Sequence, residues 1–271
     1  MKFFLITILF SLGVYAQDPA NYLNIFDTKI YSLKAKGIKD FTVDLESTRL
    51  TKQLNDQQNF GKIDELIFRL YWTADPERIS IEVLGLPEGF VQVKEGLKLE
   101  IAQFLEYLIP IGILKKFNGY KISQGTKPKE FIAQDTTGIA PVPSYLLRFD
   151  EQDKLVEVVG NKPVGLIEIK QNLEKTSFSD SKWVLMEQVS TSSENGVSVS
   201  VTKEFEHDKV QGIGVLSEIN ITTVFTSQVK DSKSVKLSDS IKLKNYKINE
   251  GSALRYFLGE SKANESQKKS N

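Results

Sequence analysis

The stretch "ELIFRLYWT", residues 65 to 73, alternates with a period of two. Leu66, Phe68, Leu70 and Trp72 fall on one face, and Glu65, Ile67, Arg69, Tyr71 and Thr73 on the other. That period predicts a strand, not a helix. Asp75-Pro76 turns the chain, and "RISIEVLG" returns with Ile79, Ile81 and Val83 on one side, so 65–84 is expected to form a hairpin. Upstream, "FTVDLES" sets Phe41, Val43 and Leu45 against Thr42, Asp44 and Glu46, the pattern of a half-buried strand. Three strands with one apolar face each need a cover, which is either the protein's own helices or an apolar ligand.

Helical spacing occurs twice. Asp18-Pro19 suits a helix start, since Asp caps free amides and Pro fits the first turn. Tyr22, Phe26, Ile30 and Leu33 then form one apolar stripe, and Gly37 is placed to end it. Residues 95–117 carry Leu97, Ile101, Phe104, Leu105 and Leu108 at helical spacing, with Pro110 expected to end or kink the helix. Ile109, Ile111, Ile113 and Leu114 make its end apolar nearly all round, as in a buried segment or a flap over something apolar. Residues 51–62, "TKQLNDQQNFGK", are polar and read as a loop.

From residue 118 onward strand follows strand, at 119–124, 129–135, 144–150, 154–160, 164–175, 182–192, 196–206, 213–227 and 240–249. Turn signals such as Asn118-Gly119, Glu151-Gln152-Asp153, Asn161-Lys162-Pro163 and Asn195-Gly196 separate several of them. Short connections imply an antiparallel meander. The expected class is α+β, with one antiparallel sheet of about ten or eleven strands, a number at which sheets curl or close. A strongly curved, unclosed barrel with helices over its concave face is the economical arrangement. The expected domain spans 17–250, and 251–271, ending "GESKANESQKKSN", reads as a polar, disordered tail.

The N-terminus changes the setting. Lys2, the apolar run "FFLITILFSLGVYA" and the small residues at Val14 and Ala16 predict a signal peptide, 1–16, cut after Ala16. Removing it from a chain of 271 leaves about 255 residues, enough for one large β-rich domain. Export permits disulfides, yet the chain has no cysteine, so the core must rest on packing. Position 17 is Gln rather than the Cys that would carry a lipid anchor, so the mature protein is expected to be freely soluble in the periplasm. Lys plus Arg and Asp plus Glu both number 35, and this balance argues against nucleic acid or an anionic membrane as partner.

Candidate chemistry is sparse. The single histidine, His207, lies in the charged run "KEFEHDK" and reads as a solvated loop residue without a catalytic role. Thiol catalysis is excluded, and a His-rich metal site is not expected. No G-x-S-x-G, H-E-x-x-H, phosphate-loop or EF-hand pattern occurs. Carboxylates are plentiful, but most alternate with apolar residues, as Asp44 and Glu46 do, and read as a solvated face. "NIT" at 220–222 and "NES" at 264–266 match the N-glycosylation pattern, which carries meaning only in a eukaryotic secretory pathway. No enzyme, metal or cofactor is expected.

The order of a signal peptide, a capped helix, "FTVDLESTRL", "IFRLYWTADPERISIEVLGLPEGF", an apolar helical insert and a long meander resembles the LolA-like superfamily of periplasmic lipoprotein carriers. The resemblance is one of layout over residues 18–249 and is specific only around 64–90. It implies an unclosed β-barrel lidded by helices, whose hollow takes lipoprotein acyl chains or other lipids. It further implies transfer toward the outer membrane between an inner-membrane donor and an outer-membrane acceptor. On it, Phe41, Val43, Leu45, Leu66, Phe68, Leu70, Trp72, Ile79, Ile81, Val83, Phe104 and Leu108 line the hollow. The missing anchor cysteine places the chain nearer the soluble carriers than the anchored receptors. The meander after 140 is longer than the carrier pattern, and no motif marks a lid-locking arginine; Arg49 and Arg69 qualify by position only. The alternative is a non-catalytic envelope module, binding a protein or sensing lipoproteins, with a filled core.

Overall fold

The computed structural model describes residues 18–57, 62–194, 196–227 and 234–259. The expected signal peptide, Asn195 of one turn and residues 260–271 lie outside the described residues.

Among the described residues, all strands belong to one antiparallel sheet of twelve. The first three are β1 (Asp40–Ser47), β2 (Ile67–Ala74) and β3 (Glu77–Leu84). Then come β4 (Tyr120–Gln124), β5 (Glu130–Asp135), β6 (Ser144–Phe149), β7 (Leu155–Asn161) and β8 (Leu166–Lys175). The last four are long: β9 (Trp183–Glu194), β10 (Val197–Val210), β11 (Ile213–Ser227) and β12 (Val235–Ile248). The spatial order is β3-β2-β1-β12-β11-β10-β9-β8-β7-β6-β5-β4. Neighbours from β4 to β12 are thus consecutive, as the short turns predict, and β12 closes back on β1. The end strands β3 and β4 are not paired, so the sheet is not closed. Register aligns the expected apolar faces: Phe41 opposes Trp72, Val43 opposes Leu70, and Leu45 opposes Phe68. Phe68, Leu70 and Trp72 in turn oppose Val83, Ile81 and Ile79.

Helix α1 (Pro19–Lys29) starts as its sequence predicts, with Asp18 accepting a hydrogen bond from the Ala20 amide at 3.2 Å. It does not run on to Gly37. Ile30 turns extended and bridges to Trp183, and a short 3-10 turn, Lys34–Lys36, ends at Gly37 with φ 77°. The expected loop at 51–62 is corrected over 51–56, where α2 (Thr48–Asp56) forms, and residues 58–61 of it lie outside the described residues. The Ser47 hydroxyl caps it by accepting from the Leu50 amide, and Leu50 and Leu54, four apart, bury one narrow stripe.

The insert expected as one kinked helix is three pieces: α3 (Val91–Ala102), α4 (Leu105–Leu108) and α5 (Ile113–Lys116). Ile109, before Pro110, leaves the helical region (φ −126°, ψ 79°), as a residue preceding proline tends to do. The expected tail begins instead with α6 (Ser252–Phe257), whose Tyr256 ring stacks on Tyr71 of β2 with centroids 3.7 Å apart.

The core divides in two. One cluster joins Phe41, Val43, Leu45, Phe68, Leu70 and Trp72 with Leu50 and Leu54 of α2, Leu97 and Ile101 of α3, and Phe104 and Leu108. The other joins Tyr22, Leu23 and Phe26 of α1 and Ile113 of α5 with Phe131, Leu147, Phe149, Leu155 and Leu173. Each fully buried side chain of this size contributes roughly 1.5–3 kcal/mol.

Candidate functional site

Between the two clusters lies a cavity of about 350 Å³. Its walls are Phe26, Ile30 and Leu33 from the N-terminal segment, Tyr107, Leu108, Ile111 and Ile113 from the insert, and Leu155, Leu173, Leu185, Phe205 and Leu216 from β7 to β11. A second cavity of about 370 Å³ is bordered by Leu33, Phe41, Trp72, Leu108, Ile109 and Ile111. Ser32, Leu33, Leu108, Pro110, Ile111 and Gly112 border both, so the non-helical segment around Pro110 separates one from the other. Volumes of this order fall in the range of small-molecule sites.

Asp27 fastens that segment. Its carboxylate accepts from the Ile113 amide at 2.8 Å, at the start of α5. Burial pushes its pKa up, against the opposing pull of the Ile113 and Leu114 amides and Lys116. Gly112 lies so close that an added Cβ would stand 2.6 Å from the Asp27 carboxylate. Glycine here reflects close approach.

Two buried polar atoms border the cavities without a hydrogen-bond partner: Nδ1 of His207 on the first and Nε1 of Trp72 on the second. His207 therefore corrects the expectation of a solvated loop. It belongs to β10, beside an irregularity in the pairing with β11, with its ring 5.6 Å from Phe178. Burial lowers its pKa and favours the neutral ring.

Lys203 sits two residues before Phe205 on the same strand. Its ammonium donates to the Tyr107 hydroxyl at 2.8 Å, and that hydroxyl donates to Gln188 Oε1 at 2.8 Å. The ammonium lies 4.9 Å from the Tyr107 ring centroid and 5.9 Å from that of Phe104. Burial lowers its pKa, only partly offset by Glu106. Glu106 itself bonds Lys116 at 2.7 Å.

The twelve residues expected to line a hollow separate into groups. Phe41, Val43, Leu45, Leu66, Phe68, Leu70 and Trp72 are at most 1 % exposed, and Val83, Phe104 and Leu108 are also buried. Ile81 is partly buried, while Ile79, on the edge strand β3, is 43 % exposed. Phe41, Trp72 and Leu108 border one or both of these two cavities, and the other nine border neither. The buried residues of β1 to β3 share one cluster with Leu50 and Leu54 of α2 and Leu97 and Ile101 of α3. Of the two arginines, Arg49 ties α2 to Asp239 of β12 at 3.2 Å and to Glu100 of α3 at 3.4 Å. Arg69 instead makes a two-pronged pair with Asp44, at 2.6 and 2.9 Å, and Asn245 also donates to Asp44. By strand alternation that pair lies on the face opposite Phe68 and Leu70.

Among the described residues no three His, Asp or Glu side chains gather as a metal site requires, and no helix is long and apolar enough to cross a membrane. No protein-family model, curated protein or solved structure matches the chain.

Proposed function

We propose that the protein is a non-catalytic carrier of acyl chains, which holds lipoprotein or other lipid chains in the paired cavities and passes them toward the outer membrane. Export through residues 1–16, residence in the periplasm, a membrane donor and an outer-membrane acceptor belong to this reading. The observation that carries it is the pair of largely apolar cavities flanking one short segment of the insert. An acyl chain gains about 0.8 kcal/mol per buried CH₂, so the affinity rests on several carbons in the first cavity, the second being bordered also by Lys34, Glu77 and Lys115.

The reading includes a strongly curved sheet with the helical pieces on its concave side. Support comes from spacing. Trp72 of β2 and Leu155 of β7 each border a cavity walled by Leu108 to Gly112. These strands stand seven steps apart in the sheet order. Laid flat, seven steps cover about 34 Å, at roughly 4.8 Å per step. Curling of the sheet brings strands so far apart in its order to the two sides of one short segment.

One observation favours the interaction-module alternative: Leu166, Val197, Phe225, Val235 and Leu237 are exposed apolar residues near the same end of the long strands. Titration of delipidated protein with a fluorescent fatty acid distinguishes the readings. The carrier reading expects saturable binding at micromolar levels or better. Leu185→Trp, which fills the first cavity, should abolish it without unfolding the protein. Absence of binding by the wild type leaves the interaction module.

A further inference from the structure

From the polar cluster at the edge of the first cavity we infer that Lys203 receives the anionic headgroup of the bound amphiphile, so that the ligand is an acyl chain ending in a carboxylate. This rests on the carrier reading and narrows it to a ligand class.

Three observations converge. First, the cation is poorly compensated. Lys203 is partly withdrawn from water, and its neighbours are a phenol and the faces of two aromatic rings. Among the described residues no carboxylate forms an ion pair with it, and the nearest acidic influence, Glu106, is shared between Lys116 and the Tyr107 hydroxyl. A buried charge without a counter-charge is costly, and an incoming anion relieves that cost. Second, the position is an edge between polar and apolar surroundings. Tyr107 and Phe205 are wall residues of the cavity, and Lys203, just behind that wall, donates to the Tyr107 hydroxyl. Third, the neighbouring groups suit a carboxylate. Lys203 has further N–H donors beyond the one given to Tyr107, and the Tyr107 hydroxyl can turn its proton from Gln188 toward an anion. A chain lying past Phe205 toward Leu185 and Leu216 would keep its apolar part within the cavity.

Calorimetric titration of the delipidated full chain with laurate and with methyl laurate tests this. The two ligands share the chain and differ in charge. The wild type is expected to bind laurate about tenfold more tightly than the ester, which corresponds to about 1.4 kcal/mol. Lys203→Gln should bring laurate and the ester to equal affinity. If that variant fails to melt cooperatively, Lys203→Met, which keeps the stem and removes the charge, takes its place with the same expectation. Acetate, the charge without the chain, should not compete with laurate at equal concentration. Equal binding of laurate and ester by the wild type, a preference that survives loss of the Lys203 charge, or full competition by acetate overturns the inference while the carrier reading stands. Failure of both laurate and ester to bind overturns both.

Discussion

The faces of β1–β3 and of β7–β11 carry similar apolar alternation, yet the first is largely buried, meeting a cavity at Phe41 and Trp72, while in the second every strand from β7 to β11 contributes a cavity wall residue. The difference lies in what covers them. Leu50 and Leu54 of α2 and Leu97 and Ile101 of α3 join Phe68 and Leu70 in one buried cluster. Over β7–β11 the cover is the end of α1 and the broken insert, where Pro110 and Gly112 interrupt the helix and bring little side chain. An apolar sheet face records only that water is excluded; the covering element decides whether protein or ligand excludes it.

The largest effect expected from this contrast is at Phe68. Phe68→Glu places a carboxylate in a site with no partner, at a cost of several kcal/mol. The variant should fail to fold, seen as loss of cooperative melting. A folded Phe68→Glu that had merely lost ligand would move the hollow to β1–β3 and erase the comparison.

Next in size is Gly112→Ala. Its methyl group would stand 2.6 Å from the Asp27 carboxylate and push the segment between the two cavities away from α1. A loss of about 1–3 kcal/mol is expected, measured by urea unfolding, since crowding of a packed site costs of that order. An unchanged unfolding midpoint would mean that the segment is not held where the cavities need it.

A smaller effect concerns acid stability of the α1 side. The Lys129 ammonium, 2.9 Å away, holds the Asp153 carboxyl down to about 2 against its burial, helped by hydrogen bonds from Tyr22 and Lys29. A depressed carboxyl pKa stabilises the fold above the ordinary carboxylate value and loses that contribution as pH falls through the folded one. Asp153→Asn should therefore lower the melting temperature at pH 6, with the gap to wild type closing between about pH 4 and pH 2. A gap independent of pH would remove the charge from the explanation.

Much of the sheet is legible in the sequence because alternation is local. Phe41, Val43 and Leu45, or Leu66 through Trp72, announce strand and face together, and the turn signals locate most of the later strands. The α2 helix escapes because Leu50 and Leu54 are its only buried apolar residues in a polar run, and its cap, Ser47, belongs to the preceding strand. The α6 helix escapes for a related reason: Ala253 and Tyr256 find their partners on β1 and β2, far away in sequence. Lys203 and His207 sit in "KEFEHDK", where local charge hides the fact that every second residue points with Phe205. Continuing the alternation of 197, 199 and 201 through 203, 205 and 207 is the signal that finds them. The cavities have no local signature, since their walls come from elements more than a hundred residues apart.

Native mass spectrometry of the protein purified without delipidation tests the central claim most directly. The account predicts a fraction carrying adducts of acyl-lipid mass, released by mild activation, and the bare mass alone for Leu185→Trp purified in the same way. A wild type of bare mass that also takes up no fatty acid when titrated would contradict the account and leave the cavities as unused space in an interaction module.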